Sequence, residues 1–414
     1  MSKINKILKV CILSDSFIPK KISAAGMLYN LSREFVKRDI EVVCIFGSDK
    51  NETWKIENNK FNNYNLKKLK IISSNFMSNF RYRNNYLRFI FELLLAFSLS
   101  IKIIRYKKIL KNVDLIVWYS PSAFLWLPAL ILKKITGSDV YLILRDIFPD
   151  WLINIGILKN NLTINLLKLL TYPQFKIPDI IGCESIKDKE LIKKKVKDKK
   201  VEILYNWPSI CSGSMGVEIQ KKINFIDFSK KNRNVNKLFG AYTGNDSLSH
   251  DLTSGIDHLR EFLINNQVQK ELFLNRFTSN FISSKPSKYL VEKRWDMVSE
   301  NLLPHIYKHV DFGIVSLNVN HETNNLPGKF VSYIQFGLPI MCFASLRSEL
   351  AKMVLSSHCG CVIDISNSKE NNNKILLNFF KNFNLNKKEY SENSLKLFHH
   401  YFSLDKVVKQ LINR

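Results

Sequence analysis

One segment of the sequence combines residue types that could bind a phosphate. Residues 324–341 read NNLPGKFVSYIQFGLPIM, in which a Pro-Gly-Lys turn begins a helix-like stretch and a Gly-x-Pro follows it. Backbone N–H groups at the start of a helix, with Lys329 beside them, form a site suited to a diphosphate. The alternative is a helix start that only caps itself with an asparagine or a turn.

Carboxylates are the candidates for proton transfer in the first half of the chain. All eight histidines lie at position 250 or beyond, so none of them falls in this half. Asp146 and Asp150 of LRDIFPD follow a predicted strand, and Asp15 follows the first one. Each could orient or deprotonate an acceptor hydroxyl. The structural alternative is that Asp146 and Asp150 cap a helix or pair with Arg145.

Alternating strands and helices must position these residues. Short apolar, β-branched runs and helical patterns alternate through the first half, which predicts a parallel sheet with helices on both faces. The pattern breaks after Trp207 and restarts with KLFGAYTG from Lys237. The 414 residues are too many for one ordinary core. We expect a first domain over 1–208, a second over 209–395, and a C-terminal helix over 396–414 that could return to the first.

Several motifs are missing, which argues against some classes of enzyme and site. Ligands of open α/β sheets bind at the carboxyl ends of the strands, but neither first loop contains G-x-G-x-x-G, and no P-loop motif occurs. A nicotinamide, flavin or P-loop enzyme is therefore disfavoured. The close pair Cys359-Gly-Cys361 lacks the two-residue spacer of zinc or redox sites. We expect reduced, buried cysteines and no metal site.

The net charge of +26 raises the question of an anionic partner. Only 13 of the 62 basic residues are arginine, whereas nucleic-acid readers favour arginine. Residues 60–111 hold twelve Lys and Arg against Glu92 alone, around the apolar stretch Phe89–Ile104. That stretch is too short and too charged to span a bilayer. It predicts either a helix that touches anionic lipid headgroups or an ordinary buried helix with a solvated basic rim.

The N-terminus gives an expectation about location. Its apolar run, Val10–Leu13, is too short for the core of a signal peptide and ends near Asp15. We therefore expect the protein to stay in the cytoplasm. With the basic segment 60–111 at an anionic membrane, it would be peripheral on the inner face of the cytoplasmic membrane.

Taken together, these segments resemble GT-B glycosyltransferases of family 4. In that family Pro-x-Lys, a helix and Gly-x-Pro-[IV] follow a strand, and here DFGIVSL precedes the Pro-Gly-Lys block. Other segments resemble family elements in the same order: the loop and helix of Pro19 to Arg38, SPSAFLWLP, LRDIFPDWLINIGIL, YNWPS and AYTGN. The Pro-Gly-Lys block is most similar to O-antigen L-fucosamine (N-acetyl-L-fucosaminyl) transferases.

The resemblance implies an α/β fold of the GT-B type, with two facing Rossmann-like doubly wound domains and a central cleft. It implies that the second domain binds the donor, and the candidate donor-binding residues are Gly244, Asn245, Arg276, Trp295, Glu322, Asn324, Asn325, Leu326, Pro327, Gly328, Lys329 and Ser332. The candidate catalytic residues are Asp146, Lys329 and Asp150, and the candidate acceptor-binding residues are Asp15, Ala25 and Gly26.

The sequence departs from the family pattern at the donor site. The family often has Glu-x7-Glu, but Asn324 and Ser332 occupy those positions here, and Glu322 lies two residues too early. The basic residue usual after the first strand of the second domain is missing from GNDSLSHD. The remaining candidate cations are Lys329, followed by Arg276 and His250.

The resemblance implies a retaining, metal-independent glycosyl transfer without a cofactor. The expected donor is a UDP-sugar whose sugar is an N-acetylated deoxyhexose such as L-FucNAc. The expected acceptor is a polyprenyl-diphosphate-linked saccharide of O-antigen or capsule biosynthesis. The partners are thus the nucleotide sugar, the lipid-linked acceptor and an anionic membrane surface, with no nucleic acid. The alternatives are a UDP-sugar 2-epimerase on the same scaffold and a non-enzymatic basic protein that binds membranes or nucleic acid.

Overall fold

The computed structural model describes residues 7–18, 20, 22–48, 68–75, 85–120, 122–145, 147–150, 153, 158–209, 224–244, 250–266, 270–278, 288–298, 302–318 and 326–413. The chain divides into two compact units. The first comprises Met1–Tyr205 with Leu404–Arg414, and the second comprises Asn206–Ser403.

The first unit is built on a seven-stranded sheet. Its strands are β1 (Lys9–Leu13), β2 (Glu41–Ser48), β3 (Leu69–Asn75), β4 (Leu115–Ser120), β5 (Asp139–Leu144), β6 (Ile180–Cys183) and β7 (Lys200–Ile203). Its helices are α1 (Ser23–Lys37), α2 (Asn85–Arg105), α3 (Lys107–Leu110), α4 (Trp126–Thr136), α5 (Asn161–Thr171), α6 (Pro173–Lys176), α7 (Ile186–Lys195) and, from the end of the chain, α14 (Leu404–Ile412). A 3-10 turn, Ala123–Leu125, leads into α4.

The second unit is built on a six-stranded sheet. Its strands are β8 (Lys237–Thr243), β9 (Glu271–Phe277), β10 (Leu290–Trp295), β11 (Phe312–Ser316), β12 (Ile340–Phe343) and β13 (Gly360–Ile363). Its helices are α8 (Asn224–Asn232), α9 (Leu252–Asn265), α10 (Leu303–Tyr307), α11 (Gly328–Gln335), α12 (Glu349–Ser356) and α13 (Lys369–Tyr401).

Both sheets have the strand order of a Rossmann-like fold. The first runs β3-β2-β1-β4-β5-β6-β7 and the second β10-β9-β8-β11-β12-β13, with parallel pairing between the neighbours. The order reverses between β1 and β4 in the first sheet and between β8 and β11 in the second. In open α/β sheets ligands bind in the crevice at this reversal. The prediction of two Rossmann-like, doubly wound units is therefore confirmed.

The burial of the central strands agrees with sheets covered on both faces. Every residue of β4 and of β11 is buried, as expected for parallel strands between two layers of helices. Ahead of β11, the Asp311 carboxylate is only 3% exposed. It accepts hydrogen bonds from Arg233 Nη1 at 3.1 Å, Lys387 Nζ at 2.6 Å and the Phe239 N–H at 2.8 Å. These contacts tie α8, α13 and β8 to the amino-terminal edge of the sheet.

Some observed helices and strands differ from those predicted from the sequence. The edge strand β3 was not predicted, because Lys70, Ser73 and Ser74 interrupt its apolar run. The helix α8 lies between Trp207 and Lys237, where the alternating sequence pattern breaks. The stretch Phe89–Ile104, which was expected to be a helix, lies within α2, and the separate short helix α3 follows it. The predicted limit between 395 and 396 falls inside α13, and the assignment of acceptor and donor roles to the ranges 1–208 and 209–395 stays a prediction.

Candidate functional site

The order reversal of the second sheet lies where β8 ends, at Gly244. The Gly244 backbone has a φ of 109°, which residues with a side chain rarely adopt. Its N–H donates to the Phe277 carbonyl oxygen at 3.0 Å, so the turn is tied to the end of β9. The chain thus needs a glycine at the predicted ligand-binding edge.

Lys329 lies at the same edge. Its Nζ is 3.6 Å from the centroid of the Tyr242 ring, a cation–π distance. A Cβ built on Gly244 would lie 3.7 Å from Lys329 Cε and 3.9 Å from Nζ. The structure therefore brings together Gly244 and Lys329, two predicted donor-site residues that are far apart in the sequence.

The helix α11 begins at this edge without an acidic cap. Pro327 is its N-cap residue with φ −60° and ψ 133°, and it makes no side-chain cap hydrogen bond. The helix has no acidic residue in its first turn. Leu326 is buried, and a Cβ built on Gly328 would meet no atom within 4 Å. The positive end of the helix dipole and the first-turn N–H groups are thus set beside the Lys329 ammonium.

A chain of buried hydroxyl groups fixes α11 to β8. The Tyr333 hydroxyl donates to the Ala241 carbonyl oxygen at 3.2 Å and accepts from the Thr243 N–H at 2.9 Å. The Tyr307 hydroxyl is 3.3 Å from Thr243 Oγ1 and 3.1 Å from Ser332 Oγ. Burial raises the pKa of Tyr333 well above its ordinary value, so this hydroxyl remains a donor at neutral pH.

Ser332, a predicted donor-site residue, is part of this buried chain. Its side chain is 8% exposed and lies on the turn of α11 that follows Lys329. Tyr307 and Tyr333 themselves were not predicted as site residues, and the sequence contains no pattern that pairs Tyr307 with Thr243 or Ser332. The position of α11 depends on both tyrosines.

Arg276 and Trp295 lie on β9 and β10, further toward the edge of the sheet. Arg276 is 1% exposed, and its Nη1 donates to Glu292 Oε2 at 3.1 Å. Arg260 of α9 donates to the same carboxylate at 2.5 Å. Trp295 Nε1 donates to Asn275 Oδ1 at 2.9 Å. The charge of Arg276 is therefore balanced inside the protein, and its contact with a donor stays a prediction, as does that of Trp295.

Several predicted residues lie outside the described part of the chain. They are Asp146, Asn245, Glu322, Asn324 and Asn325. Their roles stay predictions.

The first unit has a comparable edge where β1 is followed by Asp15. The Asp15 side chain is 5% exposed and accepts a hydrogen bond from Ser16 Oγ at 3.0 Å. The predicted acceptor residues Ala25 and Gly26 lie in the first turn of α1, Ala25 buried and Gly26 half-buried. Asp15 lies at the order reversal of its own sheet, which is the position expected of a ligand-binding residue.

Asp150 pairs with Lys195 of α7. The two side chains are 29% and 32% exposed. Arg145, which follows β5, is buried and donates from Nη1 to the Leu204 carbonyl oxygen at 3.0 Å. The alternative that Asp150 is a structural ion-pair partner thus has a direct contact in its favour, although the partner is Lys195 and not Arg145.

The described ranges contain neither a metal site nor a membrane-spanning helix. There, no group of three or more His, Cys, Asp or Glu side chains could hold a metal ion. No helix among the described residues is long and apolar enough to cross a bilayer. The described cysteines are buried and free, and burial raises the pKa of Cys44 to about 12.

The chain is similar to several proteins of known structure. No family model matches the chain, and no curated protein matches it. The structure of HepE from Anabaena in complex with UDP-glucose is 12% identical with a TM-score of 0.57, and the match covers 98% of each chain. WaaG, a glycosyltransferase involved in lipopolysaccharide biosynthesis, is 13% identical with a TM-score of 0.57, over 97% of this chain and 99% of WaaG.

A third match involves a trehalose-6-phosphate phosphatase. The N-terminal domain of the Candida albicans enzyme is 9% identical with a TM-score of 0.64, and the match covers 99% of this chain and 97% of that domain. At identities of 9 to 13%, these similarities concern the fold. The chain has the GT-B fold, as its two Rossmann-like sheets indicate.

Proposed function

We propose that the chain is a glycosyltransferase that transfers a sugar from a UDP-sugar. The observation on which this rests is the edge of the second sheet, where Lys329, the start of α11 and Gly244 lie together. The solved structures of HepE with UDP and with UDP-glucose support a nucleotide-sugar donor on this fold.

The chemistry of this edge suits a diphosphate. The start of a helix has roughly half a positive elementary charge from its aligned peptide dipoles. Lys329 adds a full charge within the same turn, and its approach to Gly244 keeps the ammonium at the strand end. Such a group would bind the diphosphate of the donor and stabilise the charge that develops on it as it leaves. The proposal needs no metal ion and no cofactor.

The proposed reaction exchanges one bond at the anomeric carbon of the donor. The bond from C1 to the diphosphate oxygen breaks, a bond from C1 to the acceptor oxygen forms, and UDP leaves. The acceptor proton passes to a carboxylate or to the leaving diphosphate. Asp146 and Asp15 are the candidate carboxylates, since Asp150 pairs with Lys195. We expect retention of the anomeric configuration, as the family resemblance implies.

The proposed substrates follow from the sequence resemblance. The Pro-Gly-Lys block favours an N-acetylated deoxyhexose such as L-FucNAc and a polyprenyl-diphosphate-linked saccharide of O-antigen or capsule biosynthesis. The similarity to WaaG, a lipopolysaccharide enzyme, agrees with this class of product. The first unit would bind the acceptor, near Asp15, Ala25 and Gly26.

A lipid-linked acceptor also needs the enzyme at a membrane surface. In α2 and α3, Lys102 and Arg105 with Lys107 and Lys108 form a basic rim that suits anionic headgroups. We propose that the protein is cytoplasmic and peripheral on the inner face of the membrane, and that it does not bind nucleic acid.

A donor screen tests the proposed function. The protein is incubated with UDP-sugars, UDP-L-FucNAc among them, and a synthetic diphosphate-lipid acceptor, and the products are measured by mass spectrometry. Formation of UDP and of an acceptor one sugar heavier is expected. The same incubation without acceptor tests the rival, because an epimerised UDP-sugar would identify a 2-epimerase. Steep, salt-dependent binding to DNA without any UDP binding would instead indicate a basic binding protein.

A further inference from the structure

The helix α5 presents its leucines to solvent. Leu162, Leu166 and Leu169 are 79%, 52% and 72% exposed, and their spacing of four and three residues places them on one face. The buried residues of this helix, Leu167 and Thr171, lie on another face. A helix of a soluble domain normally turns its apolar face to the core, so this outward row calls for an occupant.

A second outward apolar row lies on α2, which contacts the same part of the first unit. Both helices contact the 3-10 turn Ala123–Leu125. Trp126, which follows that turn, donates from Nε1 to the Leu170 carbonyl oxygen at the end of α5, at 3.0 Å. The exposed residues of the α2 row are Ile90, Leu94, Phe97, Ile101 and Ile104. The two rows therefore belong to helices that share one supporting turn.

The charges around both rows are positive. No Asp or Glu occurs between Asp150 and Asp179, whereas Lys159, Lys168 and Lys176 do. On α2 the acidic residue Glu92 accepts a hydrogen bond from Ser122 Oγ at 3.0 Å and thus points to the protein. Exposed leucines within an exclusively basic segment are typical of helices that lie in the interface of an anionic bilayer.

We propose that α5 is a membrane-insertion helix. It lies parallel to an anionic bilayer with Leu162, Leu166 and Leu169 among the acyl chains and Lys168 at the headgroups, beside the row of α2. This inference rests on the proposed function, which needs a lipid-linked acceptor, but it identifies an element that the basic segment 60–111 does not include. Because vesicle binding needs neither donor nor acceptor, the two proposals can fail separately.

Vesicle flotation tests the insertion helix with the full-length protein. One set of vesicles contains phosphatidylcholine alone. The other contains phosphatidylcholine with about 30 mol% phosphatidylglycerol, which makes the surface anionic. The variant is Leu162→Ser with Leu166→Ser and Leu169→Ser. We expect the wild type to bind the anionic vesicles and the variant to bind about tenfold or more weakly, because each leucine loses its transfer into the acyl region.

Three controls isolate the effect. The change of all three leucines to methionine keeps the apolar row and should retain binding. Leu377→Ser with Leu385→Ser removes two exposed leucines of α13 and should not alter binding. The thermal unfolding temperature and UDP affinity of each variant should match the wild type, since these side chains are exposed and lie outside the donor site.

The outcomes separate the occupants. Equal flotation of the serine variant and the wild type overturns the proposal. It is also overturned if neither protein floats but the wild type forms dimers that the serine variant does not, because a second copy of the chain then covers the row. If UDP binding fails while the leucine-dependent flotation persists, the proposed function is wrong and the insertion helix stands.

Discussion

Replacement of Lys329 by glutamine tests the donor site most directly. Glutamine keeps the first two methylene groups and a polar end, but it removes the charge and the Nζ atom that lies over the Tyr242 ring. Loss of one charge-assisted contact to a phosphate costs about 1.5–3 kcal/mol, which corresponds to a UDP dissociation constant about 10–150 times higher. The start of α11 remains in this variant, and it contributes about 0.3–1 kcal/mol toward an anion, so weak binding should persist.

The assay is calorimetric titration with UDP, together with the rate of sugar transfer. Lys329→Gln should also lower the stability by about 0.5–1 kcal/mol, because the cation–π contact with Tyr242 is lost. Lys352→Gln removes an exposed lysine of α12 and is the matched control. A UDP affinity and a transfer rate in Lys329→Gln equal to those of the control would falsify the assignment of the diphosphate to this edge.

The other predictions concern the elements that hold the site and the fold. Gly244→Ala should destabilise the protein by about 1–3 kcal/mol because of its φ of 109°, whereas Gly328→Ala, which meets no neighbouring atom, should not; thermal unfolding of both compares them. Tyr333→Phe should cost about 1–3 kcal/mol by leaving a buried N–H without its acceptor, and a urea midpoint unchanged from the wild type would contradict this. For Asp364, burial acts to raise the pKa, but hydrogen bonds from its neighbours outweigh it and lower the pKa below the ordinary 3.8. Its stabilisation is therefore present above about pH 4 and lost as the pH falls through the folded-state pKa. The stability gap between Asp364→Asn and the wild type, measured by urea unfolding, should be smaller at low pH than at pH 7, and an equal gap would count against this account.

The sequence predicts the second sheet and its ligand edge because each depends on local signals. β8 and β11 are buried runs bounded by polar residues, and the helix after Pro327 begins at a proline and a glycine. Once these strands are parallel neighbours, Gly244 and Lys329 must approach the same sheet edge. The pairing of these two residues thus follows from strand order and not from their separation along the chain.

The remaining features depend on packing that no short pattern contains. Tyr307 meets Ser332 and Thr243 through hydroxyl contacts between three separate elements, so nothing near Tyr307 in the sequence indicates them. β3 is an edge strand that pairs with β2 alone. Its polar residues interrupt the apolar pattern by which a strand is predicted from sequence. The exposure of Leu162 is likewise invisible in a leucine-rich helical pattern, which fits a buried face equally well.

The contacts of Arg276 in the second unit bear on how it could meet a diphosphate. Arg276 and Arg260 both contact Glu292 within the protein, and taking Arg276 to a ligand would leave a buried carboxylate with less compensation. Lys329 lies over the Tyr242 ring at the strand end, where a phosphate oxygen could add to this cation–π contact. The basic residue expected after β8 is missing, and Ser332 of α11 is neutral and buried. Among the described residues of β8 and α11, Lys329 is therefore the charged side chain near Gly244. Donor affinity should therefore depend on Lys329 and the start of α11 together, and on Arg276 mainly through the stability of β9 and β10.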